Sequence, residues 1–374
     1  MTFEPPQSQP TPTEPTGQPP VAQPSEAQQA QQPARPVWAR PAAEVPWQQT
    51  PPLEYHQLYR GAARYRWWKP LLALILAGLY YLTLSVVFIL PAMLVYALTQ
   101  GADLLSVDLN VLALPDTQNP WSIFVSLSSI VLMIPAVWLA MLSTGLTPTG
   151  RGWSVALRMR WSWIWRTVWP AIVCLVVMNV IGIALELALN PSVVEVEAEA
   201  PEIHIDMTLA LISLLLVFLL VPLQATAEEL VFRGMFMQSI GAWLGGIKGE
   251  GGAAKLLRGP WIPILVPALA FGFSHIYNIW GFFAVIAMAI AAGWLTWRTG
   301  GLEAAISLHV VNNLIAFVFM AMGAGGETGQ SEDAGGPGGL IGQVIGLALF
   351  CWWVDRSFSR RDGRRTRIDW VHAS

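Results

Sequence analysis

Glu228 and Glu229 sit side by side in an apolar stretch, with Arg233 four residues after the second. Two further apolar stretches carry Phe271-Gly-Phe-Ser-His275 and His309-Val-Val-Asn-Asn313. Carboxylates and imidazoles are costly inside a bilayer and are usually kept there for function, each with a partner. Groups of these types activate water or bind a metal. Three separate apolar segments that each supply one set point to hydrolysis within a membrane.

Helical geometry sorts the roles. Each residue turns the side chain by about 100°, so positions four apart share a face. Glu229 and Arg233 therefore pair, in the favourable acid-before-base order. Glu228 is rotated away from Glu229 and can point elsewhere, which makes it the reactive carboxylate and Glu229–Arg233 the structural pair. By the same spacing Phe271 shares a face with His275, and His309 with Asn313. Of the five histidines, His56, His204 and His372 fall in tails or a loop, leaving His275 and His309 in spans. A buried imidazole needs a partner, and a carboxylate is a natural one. If the three helices meet, Glu228, His275, His309 and Asn313 converge on one cavity.

Two mechanisms suit this set, and both stay open at this point. Glu228, His275 and His309 could bind zinc or another divalent metal, with a fourth position for water. Alternatively Glu228, helped by His275, is the general base on a water, while His309 and Asn313 donate to the oxyanion without any metal. Taken singly, each motif has a plainer reading: a salt-bridged helix end, an aromatic packed on a histidine, an interhelical hydrogen-bonded pair. The ordered set of three is what argues for a shared site.

The elements that must position these residues are membrane helices. Of 374 residues, 54% are hydrophobic and 12% charged, against about 25% charged in soluble domains. The fold class expected is all-α and polytopic, with about eight spans near 70–98, 121–143, 167–189, 207–227, 261–278, 280–297, 302–323 and 339–355. The fifth and sixth are short, and a re-entrant hairpin is the alternative there. Residues 1–55 hold 14 of 28 prolines and ten glutamines, the composition of a disordered tail rather than a signal peptide. The helical domain is expected over 56–355, with an Arg-rich tail at 356–374.

Charge sets the orientation. Arg60, Arg64, Arg66 and Lys69 precede the first span, Arg151, Arg158, Arg160 and Arg166 the third, and Lys248, Lys255 and Arg258 the fifth. Arg298 ends the sixth, and six arginines follow the last. The alternate connections carry Asp103, Asp108, Asp116, Glu195, Glu197, Glu199, Glu202, Glu327, Glu332 and Asp333, without Lys or Arg. Basic loops face the cytoplasm, so both termini are expected there, in a multi-pass protein of the cell membrane. The Arg-rich end is expected near anionic headgroups rather than nucleic acid. Cys174 and Cys351 read as small apolar residues. Asn179, Glu186 and Glu303 read as packing or snorkelling groups, and Asn312 as a lesser cavity residue.

The ordered set Glu228-Glu229-x3-Arg233, Phe271-x3-His275 and His309-x3-Asn313 resembles the CAAX-protease and bacteriocin-processing family of intramembrane proteases, which includes the type II CAAX prenyl endopeptidases. The resemblance covers about 205–323, the expected protease core. It implies an intramembrane metalloendopeptidase in which Glu228 is catalytic, His275 its partner on the water, and His309 and Asn313 stabilise the oxyanion or help hold a metal. Glu229, Arg233 and Phe271 support them. The substrate implied is a membrane-associated or lipidated peptide cut near the cytoplasmic face. A non-catalytic immunity or scaffold protein with the same cavity is the alternative, and a proton-coupled transporter a more distant one.

Overall fold

The computed structural model describes residues 47–101, 103, 107, 110–191, 204–324, 326–331, 335–361 and 363–372. Eight apolar helices carry the fold: α1 (Lys69–Gln100), α2 (Pro120–Thr144), α3 (Trp161–Leu189), α4 (Met207–Leu244), α5 (Trp261–Phe273), α6 (Ile279–Thr299), α7 (Glu303–Ala321) and α8 (Pro337–Ser359). All but α5 are individually long and apolar enough to cross a membrane. At about 1.5 Å per residue α5 is short for about 30 Å of hydrocarbon. It follows a short helix, Gly252–Arg258, across a bend of 47°. Leu79, Leu82, Val86, Val87 and Leu90 of α1 are exposed, as expected of helices solvated by lipid rather than water. The protein is an all-α polytopic membrane protein.

The connections alternate between two ends of the bundle. At one end, β1 (Trp47–Gln49) pairs with β4 (Trp370–His372), and β2 (Leu53–Glu54) with β3 (Thr366–Arg367), both antiparallel. There too, His56 Nε2 donates to the Arg258 carbonyl at 3.1 Å, and Ser154 bridges to Gly301. At the other end, the Thr117 amide donates to Thr328 O at 2.8 Å and the Asp206 amide to Gln118 Oε1 at 2.8 Å. Asn278 Nδ2 donates to Gly335 O at 3.0 Å at that same end. The segment from Arg258 to Asn278 therefore runs from the first end to the second. α5 is the helical part of that run, and the helix Gly252–Arg258 precedes it across the bend.

The charge sorting follows the same division, with Arg151 and Arg258 at the first end and Asp116 and Asp206 at the second. Of the other loop acids, Asp108, Glu195, Glu197, Glu199, Glu202, Glu332 and Asp333 lie outside the described residues.

Two tail boundaries differ from expectation. The disorder expected over 1–55 falls largely on residues outside the described set, but 47–55 is structured. Leu53, Tyr55, Leu58 and Tyr59 are buried, and the Tyr55 and Tyr59 hydroxyls donate to Gly152 O and Gly234 O at 2.6 and 3.3 Å. The Arg-rich end is likewise not a free tail. Asp369 accepts from Arg151 Nη1 at 2.7 Å, and that guanidinium also reaches Leu58 O and Gly61 O. A Pro/Gln or Arg bias in the surrounding sequence masks these few apolar and paired residues.

Elsewhere packing accounts for the remaining polar groups. Glu303, fully buried, takes a bidentate bond from Arg160 at 2.8 and 2.7 Å. Glu186 accepts the Gly338 amide at 2.8 Å at the start of α8. Gly338, Gly342 and Gly346 line the face of α8 against α3. A Cβ at Gly342 would stand 2.6 Å from Gly182 Cα, so only small residues permit this approach.

Candidate active site

α4 does not stop at the glutamates. It is α-helical over Met207–Glu229, π-helical over Leu230–Met237 and α-helical again over Gln238–Leu244. The expected span ended at 227. The continuation holds because Met235, Met237, Gln238 and Ser239 are buried in protein rather than turned out to water. π-turns inside α-helices are uncommon and concentrate at functional sites. This one directly follows Glu228 and Glu229.

Glu229 is fully buried and is held from two sides. Arg233 Nη1 donates to its Oε1 at 2.9 Å, as the four-residue spacing requires. His309 Nδ1 meets the same oxygen at 2.9 Å. Arg233 also donates to Ala289 O of α6 at 3.1 Å and lies 4.9 Å from the centre of the Phe271 ring. One carboxylate thus ties α4 to α7, and its arginine ties α4 to α5 and α6.

His309 turns its other nitrogen to Glu228. Nε2 lies 3.3 Å from Glu228 Oε2, whose side chain keeps 13% of its surface exposed. The proton account follows from donor chemistry. The Arg233-paired Glu229 can only accept, so His309 Nδ1 carries a hydrogen. Nε2 is the nitrogen left to face Glu228. A proton between them, on either atom, would make the cluster of Glu228, Glu229, Arg233 and His309 electrically neutral, which burial favours.

His275 stands across the Phe271 ring. Its ring centroid is 4.6 Å from that of Phe271, and His309 lies 5.7 Å from Phe271 on an edge. His275 Nδ1 is 2.8 Å from the Phe271 carbonyl. A carbonyl only accepts, so Nδ1 donates and Nε2 of the neutral ring bears a lone pair. Tyr277 stacks on His275 with centroids 5.8 Å apart. Phe271, expected only as a face-mate of His275, is therefore the hub on which both imidazoles and Arg233 rest.

Asn313 faces α4. Its Nδ2 donates to Gln224 Oε1 at 3.1 Å, and its Oδ1 accepts from Asn312 at 3.2 Å. Gln224 is 4% exposed and lies one helical turn before Glu228. Sequence reasoning passed over it, although an amide in an apolar run four residues before Glu228 was a readable signal.

Of the expected site residues, Glu228, Glu229, Arg233, Phe271 and His309 form one connected cluster, joined through Phe271 to His275. Asn313 borders the cluster through Gln224. The pairing within the set differs from expectation: His309, not His275, contacts Glu228. The three-ligand metal set of Glu228, His275 and His309 is not assembled in this arrangement. Among the described residues no group of three His, Cys, Asp or Glu side chains gathers as a ligand set. His309 Nδ1 is committed to Glu229, and His275 Nδ1 to its own helix.

Fold and site together define a polytopic helical membrane protein with a buried carboxylate, guanidinium and imidazole cluster on three spans. Residues 209–315 match the family described as type II CAAX prenyl endopeptidase Rce1-like. Every site residue named above lies within the matched segment. A Bacillus subtilis (strain 168) protein, the uncharacterized protein YyaK, is 27% identical over 109 residues, covering 27% of this chain and 32% of the relative. The chain thus spans about a third of the length of the curated relative it matches. No solved structure matches it.

Proposed function

We propose that the protein is an intramembrane endopeptidase that hydrolyses a peptide bond of a membrane-associated or lipidated peptide, with Glu228 as the base on water. The observation that supports this most directly is the approach of His309 Nε2 to Glu228 Oε2 at 3.3 Å, beside the Glu229–Arg233 pair. With a proton on His309 Nε2, Glu228 is a carboxylate. It takes a proton from water as the water oxygen bonds to the scissile carbonyl carbon. The carbonyl oxygen becomes an oxyanion, met by the amide hydrogen that Asn313 does not give to Gln224. Glu228 then passes its proton to the departing nitrogen as the carbon–nitrogen bond breaks. His275 Nε2, an acceptor, orients the water by accepting a hydrogen bond from its other hydrogen, which stays on the oxygen.

The family match supports protease activity in general, and the peptide class is the part proposed here. His309 lies about 9 Å along α7 from Glu303, at 1.5 Å per residue, in the half of the bundle nearer the basic loops. Under the rule that basic loops are cytoplasmic, cleavage takes place toward the cytoplasmic face, with both termini on that side. Zinc or another divalent metal remains part of the proposal only as a question for a chelator.

The test is cleavage of a panel of quenched membrane peptides, lipidated and unlipidated, by detergent-purified protein. Wild type is set beside Glu228→Gln, with and without chelator. Loss of cleavage in Glu228→Gln with normal folding is expected. Full activity in that variant would end the proposal. Sensitivity to chelator would show that a metal takes part, against the metal-free route described.

A further inference from the structure

Arg158, Arg166, Arg361 and Arg364 line a cleft of about 470 Å³ where α3 begins and the chain leaves α8. All four are exposed. Among the described residues, none of the four pairs with a carboxylate. The nearby acids are already taken: Glu303 by Arg160 at 2.7 Å, and Asp355 by Arg298 at 2.7 Å. Asp362 lies outside the described residues. Four cations around one cleft repel each other and raise the local potential, which favours an anion between them. Trp163 also lines the cleft and is buried, yet its indole N–H has no hydrogen-bond partner. A buried donor without a partner is uncommon and needs a reason.

The cleft continues into an apolar one. Met159 and Trp161 line both it and a groove of about 1070 Å³ that runs between α3, α4 and α7. Ile164, Val168, Phe218, Leu223, Val311 and Leu314 form much of that groove. The exposed Trp161 and Trp165 mark the junction, as tryptophans do at the level of lipid headgroups. A basic head joined to an apolar channel along the membrane helices has the shape and polarity of a phospholipid. A soluble anion would use only the head.

We propose that this two-part site holds an anionic phospholipid, its phosphate among Arg158, Arg166, Arg361 and Arg364 and its acyl chains along α3, α4 and α7. The chains then lie against the backs of the two helices that carry the reactive cluster. Thr226 and Val310 line the groove, two residues before Glu228 and one after His309. The proposal does not depend on protease activity, because it is read by lipid retention rather than cleavage.

The experiment uses the full chain in nanodiscs of phosphatidylcholine with a minor fraction of phosphatidylglycerol. The protein is then transferred to detergent, and the lipids it retains are quantified by mass spectrometry. Enrichment of phosphatidylglycerol over phosphatidylcholine is expected. The double variant Arg361→Glu/Arg364→Glu should lose it, at roughly fivefold per charge removed. Arg158→Gln/Arg166→Gln gives an independent pair with gentler changes should the first fold poorly. Lys248→Glu/Lys255→Glu, at the same end of the bundle but off the cleft, should keep the enrichment. Equal retention of the two lipids by wild type, or enrichment unchanged in both arginine pairs, overturns the site. An arginine-dependent thermal shift produced as well by inorganic phosphate would make the ligand a free phosphate and overturn the lipid assignment.

Discussion

His309 Nδ1 and Glu229 Oε1 lie 2.9 Å apart, and that same oxygen accepts from Arg233 at 2.9 Å. The imidazole is thereby fixed from behind while its Nε2 faces Glu228 at 3.3 Å. Adjacent glutamates consequently have different surroundings: Glu229 is enclosed between Arg233 and His309, while Glu228 keeps 13% of its side chain exposed.

Substitution should separate the two. Glu228→Gln removes the proposed base but little packing, so it should lower the cleavage rate by roughly 10²–10⁴ with a thermal midpoint near that of wild type. Glu229→Gln leaves the Arg233 charge buried without its counterion, which costs on the order of 3–5 kcal/mol. Its thermal midpoint should fall clearly. Melting curves in one detergent, beside cleavage rates, check both. Equal destabilisation by the two variants would remove the division of roles.

Arg233→Lys tests whether geometry or charge matters at that position. The guanidinium serves Glu229, the Ala289 carbonyl and the Phe271 face at once. A single ammonium cannot reproduce that planar fork. The lysine variant should keep the ion pair yet lose the bond to α6, at a cost of about 1.5–3 kcal/mol for a hydrogen bond to a charged group. Stability indistinguishable from wild type would mean that charge alone suffices.

Gln224 and Asn313 should act as a unit. Gln224→Ala frees the Asn313 amide from its bond at 3.1 Å, so the donor proposed for the oxyanion loses its fixed direction. The two single alanine variants and the double should show a coupling energy within about 0.5–3 kcal/mol in kcat/KM, as contacting residues do. A double variant whose losses simply add would show Gln224 to be independent of Asn313.

Much of this architecture was legible because membrane burial writes itself plainly into a sequence. The seven long helices fall where the apolar runs are, and the pairing of Glu229 with Arg233 follows from a four-residue spacing. What escaped the reading came from tertiary packing and non-α geometry. The π-helical stretch after Glu229 carries α4 beyond its apolar run, and no periodicity announces it. The partner of Glu228 also depends on which neighbouring helix lies closer. Both histidines were plausible, and α7, through Glu229, brings His309 to it. Tyr55 and Asp369 were hidden in biased tails because each owes its burial to residues far along the chain, Gly152 and Arg151.

The N-terminal cap should loosen as pH falls. His56 is buried, and its Nε2 donates to Arg258 O at 3.1 Å. Nδ1 has no hydrogen-bond partner, and Glu54, itself bonded by Trp297, is 3.7 Å away. Burial pushes the imidazole below its ordinary value of 6.5, while the Arg258 carbonyl and then Glu54 pull it partly back. Above pH 6.5 the ring is neutral whether the cap is docked or free, and the cap has its full stability. Below it the freed histidine takes a proton more readily than the docked one. Stability is therefore lost as pH falls from 6.5 toward the lower, docked value. Amide exchange over residues 55–61, followed from pH 7.5 to 5, should accelerate toward acid in wild type beyond its intrinsic pH dependence. His56→Gln keeps a donor for Arg258 without a titrating ring, so its exchange should lack that extra acid dependence. The same acceleration in both proteins would assign the effect to another group.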